Sequence, residues 1–462
     1  MNGKMEVLIG QRIGWDKGTV AVNLLVWLGI FGAVFGIRVF FRNAWNKLLR
    51  SFSLALVAIQ AIALISLLLT TEVLTEEKNG YLSQEGMLEL SKERNVIVFV
   101  LDSFDGRIMD RILDEEPDFL EPLEGFTYFP NAISVHSRTY PSITYLLTGN
   151  ICYFDLRPIS YINESFSKSN FIPELSRNHV DMGLYTFDYY VGARANGLIR
   201  NYVAEKQPLK FAQTVEFLLD MVLYRDMPYL LKGRYSYEAT YINSNVVDEE
   251  ALEAMDSIGA APFRNFDDEW FYTTFQREGL SANTENPVFR FYHLGSCHLD
   301  LSQQETLGKR SLEIVYGFLD QMRELGIYEN STVIILSDHG SSGGGGLDMP
   351  HKTAVPLTIA KTMGTSSDMI QVSEAPVSHT DFIPSVLDGF SLDYENYGRP
   401  LFDIVEGEQR ERYYYYSALN SDEEGEIELR EYLLDGDARD ENNYHFTENK
   451  WNIMYSYNKV AN

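Results

Sequence analysis

Two long apolar stretches lie close together near the start of the chain. Residues 20–41 are apolar except for Asn23 and Arg38, and residues 52–69 contain no charged residue. At about 1.5 Å per residue, about 20 helical residues span the ~30 Å hydrocarbon core of a bilayer. The pattern therefore predicts two transmembrane helices, at about 20–41 and 52–70, with a pair of buried core helices as the alternative. A signal peptide fits poorly, because there are two stretches and no small-residue cleavage site follows either.

Beyond residue 94 the pattern alternates between buried strands and an amphipathic helix. Continuous β-branched and aromatic runs at 95–101, 288–294 and 332–336 predict strands that are buried on both faces. Residues 305–325 carry apolar side chains at helical spacing. This alternation predicts a doubly wound α/β sheet, in which functional groups gather at the carboxyl ends of the strands. The polar residues at those ends are Asp102, His298, Asp338 and His339.

Three of these residues suggest a metal site. Asp102 and the Asp338–His339 pair would together offer carboxylate oxygens and an imidazole nitrogen to one divalent cation, a donor set that suits zinc or manganese. The alternative is that each residue is an ordinary cap or turn residue.

A candidate nucleophile lies in the segment 137–149. Pro141 suits the first turn of a helix, which places Thr139 at the helix N-cap. Free N–H groups and the positive dipole at such an end favour phosphate or sulfate. A hydroxyl there can be activated by a metal. The alternative is a plain threonine cap without chemistry.

The charge is spread unevenly along the chain. Its 462 residues include 38 basic and 66 acidic ones, a net charge of −28, which argues against general nucleic-acid binding. Residues 1–70 carry +5 and the remainder −33. By the positive-inside rule, the basic residues between the two apolar stretches predict a cytoplasmic loop and an extracytoplasmic catalytic domain. Those residues are Arg42, Lys47 and Arg50, with Arg38 at the end of the first stretch.

Six blocks of the sequence resemble, in order, the sulfatase-like branch of the alkaline phosphatase superfamily. The blocks are NVIVFVLDS from residue 95, TYPSITYLLTGN from 139, LEIVYGFLDQMRELGIYENSTVIILSDHG from 312, HKTAVPLTI from 351, VSHTDFIPSVLDGF from 377 and REYLLDGDARDENNY from 430. The resemblance implies a mostly parallel α/β sheet of alkaline phosphatase/sulfatase type with a small C-terminal sheet. The implied domains are a membrane anchor (1–75), a catalytic domain (76–405) with a substrate-facing insertion (151–285), and a C-terminal β subdomain (406–462).

The departures from the family pattern favour phosphoryl chemistry. Sulfatases mature a formylglycine within a Cys-x-Pro-x-Arg pattern, but here Thr139 and Ile143 occupy the Cys and Arg positions. Threonine cannot become that aldehyde, so the chain is more similar to lipoteichoic acid synthases and lipid A phosphoethanolamine transferases. Asp102 is followed by Ser103 rather than a second Asp, which favours one metal ion.

The resemblance implies a role for each candidate residue. Asp102, Thr139, Asp338 and His339 would bind one divalent ion, Mn²⁺ or Zn²⁺ before Mg²⁺ or Ca²⁺, with Thr139 as the nucleophile. The implied substrate-binding residues are His298, His351, Lys352 and Arg138.

Three functions are compatible with this reading. The first is a multi-pass cell-membrane phosphotransferase that moves a phosphoglycerol or phosphoethanolamine group from a phospholipid, with an envelope glycan or glycolipid as the alternative substrate and the acceptor left open. The second is a hydrolase of the same fold, either a phosphodiesterase or an atypical sulfatase. The third is a non-catalytic relative that binds glycan or lipid. Oligomeric state and pairing of Cys152 with Cys297 stay open.

Overall fold

The computed structural model describes the chain except for residues 1–16, 71–79, 205–210, 233–259, 301, 342–349, 366, 368, 420–426 and 454–462. Its α-helices are α1 (Lys17–Phe40), α2 (Arg42–Thr70), α3 (Gly106–Glu115), α4 (Thr139–Thr148), α5 (Pro158–Lys168), α6 (Phe171–Arg177), α7 (Phe211–Asp226), α8 (Tyr229–Lys232), α9 (Asp268–Glu278), α10 (Gln304–Glu324) and α11 (Phe382–Gly389). Its strands are β1 (Tyr81–Leu82), β2 (Glu89–Ser91), β3 (Asn95–Leu101), β4 (Thr127–Tyr128), β5 (Asp181–Tyr185), β6 (Tyr202–Val203), β7 (Ser281–Thr284), β8 (Val288–Leu294), β9 (Ser331–Leu336), β10 (Thr358–Lys361), β11 (Gln371–Val372), β12 (Arg412–Leu419), β13 (Ile427–Leu434) and β14 (Tyr444–Asn452).

The chain divides into two compact units. The first comprises Met1–Lys78, Pro208–Asp248 and Ala461–Asn462, and it contains α1, α2, α7 and α8. The second comprises Asn79–Gln207 and Glu249–Val460 and contains all the candidate site residues. By length and composition, α1 and the Trp45–Ser66 part of α2 are each apolar enough to cross a membrane.

The predicted loop between the two apolar stretches is wrong. Arg42, Lys47 and Arg50 lie inside α2, and Phe41 alone separates the two helices. The Phe41 N–H donates to the Ile37 carbonyl, and the Phe41 carbonyl accepts from the Trp45 N–H, so helical hydrogen bonding continues across the junction. The 29 residues of α2 are about 44 Å long, more than a ~30 Å hydrocarbon core requires.

The central sheet holds the second unit together. Within the described part of the chain it has seven strands, in the order β11-β4-β10-β9-β3-β8-β5. β3 is parallel to both β8 and β9, and β5 is parallel to β8. β10 is antiparallel to β9 and β4. The sheet is mostly parallel, because its other four strand pairs, which include β11 with β4, are parallel. The predicted strands β3 and β8 are confirmed with their bounds unchanged, while β9 begins one residue earlier than predicted.

Helices cover both faces of this sheet. Alternate side chains of β3 point to opposite faces, with Val96, Val98 and Val100 in one hydrophobic cluster and Ile97 and Phe99 in the other. Helices α4 and α11 contribute to the first cluster, and α3, α9 and α10 to the second. The doubly wound arrangement is therefore confirmed, and burial on both faces explains the unbroken apolar run of each central strand.

The stretch 151–285 contributes to this core as well. It supplies the edge strand β5, and α5 and α6 pack buried side chains into the first cluster. The small C-terminal sheet is antiparallel in the order β12-β13-β14. It attaches to the catalytic part through the Tyr415 N–H, which donates to the Val135 carbonyl. Cys152 and Cys297 are both buried and free.

Candidate active site

Three neighbouring strands bring the candidate metal ligands together. β3 lies between β8 and β9, and all three run in the same direction, so their carboxyl ends meet. Asp102 follows β3, His293 is the penultimate residue of β8, and Asp338 comes two residues after β9. One ligand atom from each of the three lies within 4.8 Å of the others, and all three residues are buried.

The turn after β3 orients the two carboxylates. Ser103 adopts a left-handed backbone conformation, with φ of 58°, which costs free energy in a residue other than glycine. Its N–H donates to Asp338 Oδ1 over 2.9 Å, and its hydroxyl donates to Asp102 Oδ1 over 2.7 Å. Ser103 thus links both carboxylates and offsets the strain of its own turn.

Thr139 reaches the same site from the start of α4. Arg138 is the N-cap and Thr139 the first helical residue, so the predicted cap position is off by one. The Thr139 hydroxyl lies 3.3 Å from Asp102 Oδ2 and 3.3 Å from His339 Nε2. It is also the first residue of α4, where the positive end of the helix dipole favours an anion.

The neighbouring hydroxyls are held elsewhere. Ser137 Oγ lies 3.1 Å from Ser417 Oγ and accepts from the Ser417 N–H. Ser142 Oγ is buried and donates to the His136 carbonyl. Thr144 is buried as well and donates to the Tyr140 carbonyl. Of the hydroxyls in this segment, Thr139 is the one that faces the carboxylates.

Histidines surround Asp102. His293 Nε2 lies 3.2 Å from Asp102 Oδ2, and its other ring nitrogen lies 3.0 Å from Thr186 Oγ1. His298 Nδ1 lies 3.3 Å from Asp102 Oδ1, and the side chain is 23% exposed. His298 therefore stands where the buried site opens to solvent.

The pKa values reflect two buried carboxylates side by side. Burial alone would raise the pKa of Asp102, but the charge of His298 and hydrogen bonds from His293 and His298 hold it well below its usual range. Burial and the negative charge of Asp102 raise the pKa of Asp338. The negative charge of Asp102 raises the pKa of His298 to about 9. The site thus concentrates negative charge where solvent cannot compensate it.

A divalent cation fits this arrangement. Asp338 Oδ2 is buried and has no hydrogen-bond partner, although His339 Nε2 lies 3.2 Å away. Buried polar atoms without partners are rare in native proteins and call for an explanation. Oxygen and nitrogen donors of this kind suit zinc or manganese.

His293 is the site residue that the sequence pattern does not single out. The sequence places it near the end of the second buried strand, but its position inside an apolar run gives no sign that it could bind a metal. The informative signal is its register: His293 pairs with Val100 on β3, two residues before Asp102.

The other predicted residues lie apart from this cluster. Arg138 Nε donates to Ser417 Oγ over 2.7 Å. His351 and Lys352 lie in a 3₁₀ turn and line an open cleft of about 550 Å³ with residues of the C-terminal sheet, among them Arg430 and Tyr444. Among the described residues, no hydrogen bond or ion pair joins His351 or Lys352 to the Asp102–Asp338 cluster.

Comparison with known proteins gives one family match. The Sulfatase family model matches residues 313–391, which include Asp338 and His339. This match confirms the resemblance to sulfatases over those residues. A search of curated proteins gives no match.

Several solved structures are similar to the chain. They include the phosphonate monoester hydrolase SpPMH from Silicibacter pomeroyi (13% identity, TM-score 0.41, 75% of this chain and 88% of that chain covered). An alkaline phosphatase superfamily protein from Vibrio parahaemolyticus has 13% identity and a TM-score of 0.42, covering 78% and 80%. The sulfatase PsFucS1 from Pseudoalteromonas sp. has 13% identity and a TM-score of 0.41, covering 78% and 84%. Likenesses of this size indicate no particular substrate for the chain.

Proposed function

We propose, from the match to the sulfatase family over residues 313–391, that the chain is a membrane-anchored, metal-dependent phosphotransferase. It moves a phosphoglycerol or phosphoethanolamine group from a phospholipid through a phospho-threonine at Thr139. The observation that carries this proposal is the Thr139 hydroxyl, 3.3 Å from both Asp102 Oδ2 and His339 Nε2 at the start of a helix. A hydroxyl so oriented is suited to attack an anionic phosphorus centre.

The surroundings of Thr139 support phosphoryl transfer over ordinary sulfatase chemistry. Ile143 takes the place of the arginine in the sulfatase maturation pattern. Its side chain is fully buried in the hydrophobic core, where a guanidinium would lack partners. Together with the threonine itself, this removes the route to a formylglycine.

The residues that would hold the ion are Asp102, Thr139, Asp338 and His339, with His293 beside them. When bound, a divalent ion lowers the pKa of a hydroxyl and offsets charge on the phosphoryl oxygens. We propose Mn²⁺ or Zn²⁺, in keeping with the mixed oxygen and nitrogen donors.

The reaction has two displacements. First, the Thr139 oxygen bonds to phosphorus while the bond from phosphorus to the diacylglycerol oxygen breaks, and the Thr139 proton passes to water at the site opening. The departing diacylglycerol oxygen takes a proton from His298. Next, an acceptor hydroxyl attacks the phosphorus and gives its proton to His298. The bond to Thr139 breaks, and the Thr139 oxygen takes up a proton from water.

The cleft beside the C-terminal sheet is the proposed place for the polar part of the substrate. His351 and Lys352 line it together with Arg430, Tyr432 and Tyr444. Lys352, Arg430 and the aromatic rings suit an envelope glycan or glycolipid that carries negative charge, while Glu441 lies on the same cleft, 3.4 Å from His351. The charge asymmetry of the chain supports an extracytoplasmic position for this domain.

Hydrolysis is the second candidate, because the matched family consists of sulfatases. In that case water takes the place of the acceptor alcohol, and the first displacement is unchanged. The two functions differ in their products rather than in Thr139 chemistry.

Product analysis separates them. The full-length chain in detergent, loaded with Mn²⁺ or Zn²⁺, is incubated with phosphatidylglycerol, phosphatidylethanolamine or lipid-free phosphate and sulfate esters, each with a glycolipid acceptor. Transfer predicts diacylglycerol and an acceptor that gains phosphoglycerol or phosphoethanolamine, both measured by mass spectrometry. Free glycerol phosphate without modified acceptor would establish the hydrolase instead, and turnover of sulfate esters alone would contradict phosphoryl chemistry.

A further inference from the structure

Helix α7 lies in the first unit and presents an uncovered apolar face. Phe211, Val215, Leu218, Leu219 and Val222 are between 46% and 83% exposed. Their spacing places them on one stripe about 100° wide. An apolar stripe of this kind on an isolated helix needs a partner.

The acidic residues of this helix lie off the apolar stripe. Glu216 and Asp220 are roughly 110° and 150° from its centre, since each residue advances ~100° around the axis, and they share that side of the helix with Phe217 and Tyr224. The exposed apolar stripe itself is therefore free of acidic side chains between Phe211 and Val222.

Contacts within the first unit place the neighbouring helix α8 beside the first candidate span. The Tyr229 N–H donates to Asn23 Oδ1 over 3.1 Å. Asn23 lies six residues after Lys17, the first residue of α1, or about 9 Å along the helix. Helix α8 thus contacts α1 near its end rather than at its middle, which is the depth of a membrane interface.

Helices α7 and α8 are tied to each other. The Lys232 ammonium is buried and lies 5.3 Å from the centre of the Tyr224 ring and 5.1 Å from that of Tyr229. Leu230 and Leu231 of α8 are exposed, as are the apolar side chains along α1. The uncovered apolar surface therefore continues from the candidate span onto α8 and α7.

We infer that α7 and α8 lie in the membrane interface, with the apolar face of α7 in the acyl-chain boundary of a phospholipid bilayer. The 16 residues of α7 are about 24 Å long, too short to cross a ~30 Å core, so a helix with this exposed apolar stripe would lie in the interface plane. The inference rests on the proposed membrane location of α1. Residues 211–232 would then attach the chain to the membrane in addition to the candidate spans α1 and α2.

Site-directed spin labelling tests this in the full-length chain reconstituted in phosphatidylglycerol/phosphatidylethanolamine vesicles. Single cysteines replace Val215, Leu219 or Val222 on the apolar stripe, with Glu216→Cys and Asp220→Cys as matched controls on the same helix. Leu25→Cys, 68% exposed on α1, reports the anchor itself. The native cysteines are buried and the unsubstituted chain gives the background.

We expect a several-fold higher ratio of oxygen to nickel–EDDA accessibility at the three apolar positions than at Glu216 and Asp220. Uniformly water-accessible labels on α7 with a lipid-exposed Leu25 label would overturn the inference while the anchor stands. Labels shielded from both reagents would show a protein partner instead of lipid, which also overturns it. A water-accessible Leu25 label would overturn the anchor, and the inference with it.

Discussion

At the scale of single residues, Asp338 is the carboxylate of the site that has a buried oxygen without a hydrogen-bond partner. One of its oxygens accepts from the Ser103 N–H and the other is buried and unpaired. We predict that Asp338→Ala lowers the bound metal from about one ion per chain to near zero and abolishes turnover, because it removes a buried ligand. Elemental analysis of the purified chain measures this, with Asp114→Ala, an exposed carboxylate on α3, as the control. Normal metal content in Asp338→Ala would refute the assignment.

His136 predicts how stability depends on pH. Burial, with a contribution from the charge of His379, lowers the pKa of His136 to about 3. In the unfolded chain the pKa is about 6.5. Between these values the unfolded chain binds a proton that the folded chain does not, so the stability contributed by neutral His136 is lost as the pH falls from about 6.5 to 3.

A glutamine at this position should flatten that dependence. His136 Nε2 accepts from the Cys152 N–H, and a glutamine carbonyl can accept the same hydrogen bond without titrating. We expect His136→Gln to lose less stability than the parent chain between pH 6.5 and 4, by up to about 1.4 kcal/mol per pH unit. Denaturant melts at several pH values measure this, and parallel curves for the two proteins would contradict it.

Some site residues could be predicted from sequence and one could not, for physical reasons. Asp102, Asp338 and His339 interrupt apolar runs, so their polarity marks the strand ends. His293 lies inside such a run and becomes a candidate only when strand register is known. The predicted N-cap at Thr139 is off by one residue. The extended backbone conformation that makes Arg138 the N-cap cannot be seen in the residue types.

At the scale of elements, the 3₁₀ turn Ser296–His298 depends on one buried carboxylate. Asp268, at the start of α9, accepts from the Gly295 N–H over 2.7 Å and from the Ser296 N–H over 2.9 Å. Ser296 has a φ of 40°, so this turn is strained and needs both bonds. Asp268 therefore positions His298 beside Asp102 without reaching the site itself.

Replacing that carboxylate tests the role of the turn. In Asp268→Asn, an NH₂ group replaces one accepting oxygen and faces an N–H, so we predict about a tenfold loss of kcat with metal content retained. Asp267→Asn is the matched control, since Asp267 only caps α9 through the Trp270 N–H. Equal kcat in the two variants would show that the turn does not position His298.

The elements themselves differ in how far sequence predicts them. β3 and β8 were predictable to the residue, because burial on both faces forces a continuous apolar run with polar ends. The start of α2 was not, because basic residues after an apolar stretch look like a loop while helical hydrogen bonding continues through Phe41. That α7 belongs to the same unit as α1 and α2 could not be predicted, because it depends on contacts between residues far apart in the sequence.

At the scale of the whole molecule, charge asymmetry predicts orientation. Arg38, Arg42, Lys47 and Arg50 lie around the end of α1 and the start of α2, and this cluster of basic residues favours a catalytic domain outside the cytoplasm. Protease added to intact cells should therefore digest the chain beyond residue 75, as followed by immunoblotting against a C-terminal tag. Full protection until the cells are lysed would reverse the orientation.

The central claim is that Thr139 carries the transferred group. The full-length chain is mixed with phosphatidylglycerol or phosphatidylethanolamine without an acceptor, quenched, digested and analysed by tandem mass spectrometry. We predict a phosphoglycerol or phosphoethanolamine adduct on Thr139. Thr139→Ala should lack the adduct and lose turnover by several orders of magnitude, since no covalent route remains. Ser137→Ala should still form it, because Ser137 bonds to Ser417 instead. An adduct on Ser137, or near-normal turnover in Thr139→Ala, would contradict the account.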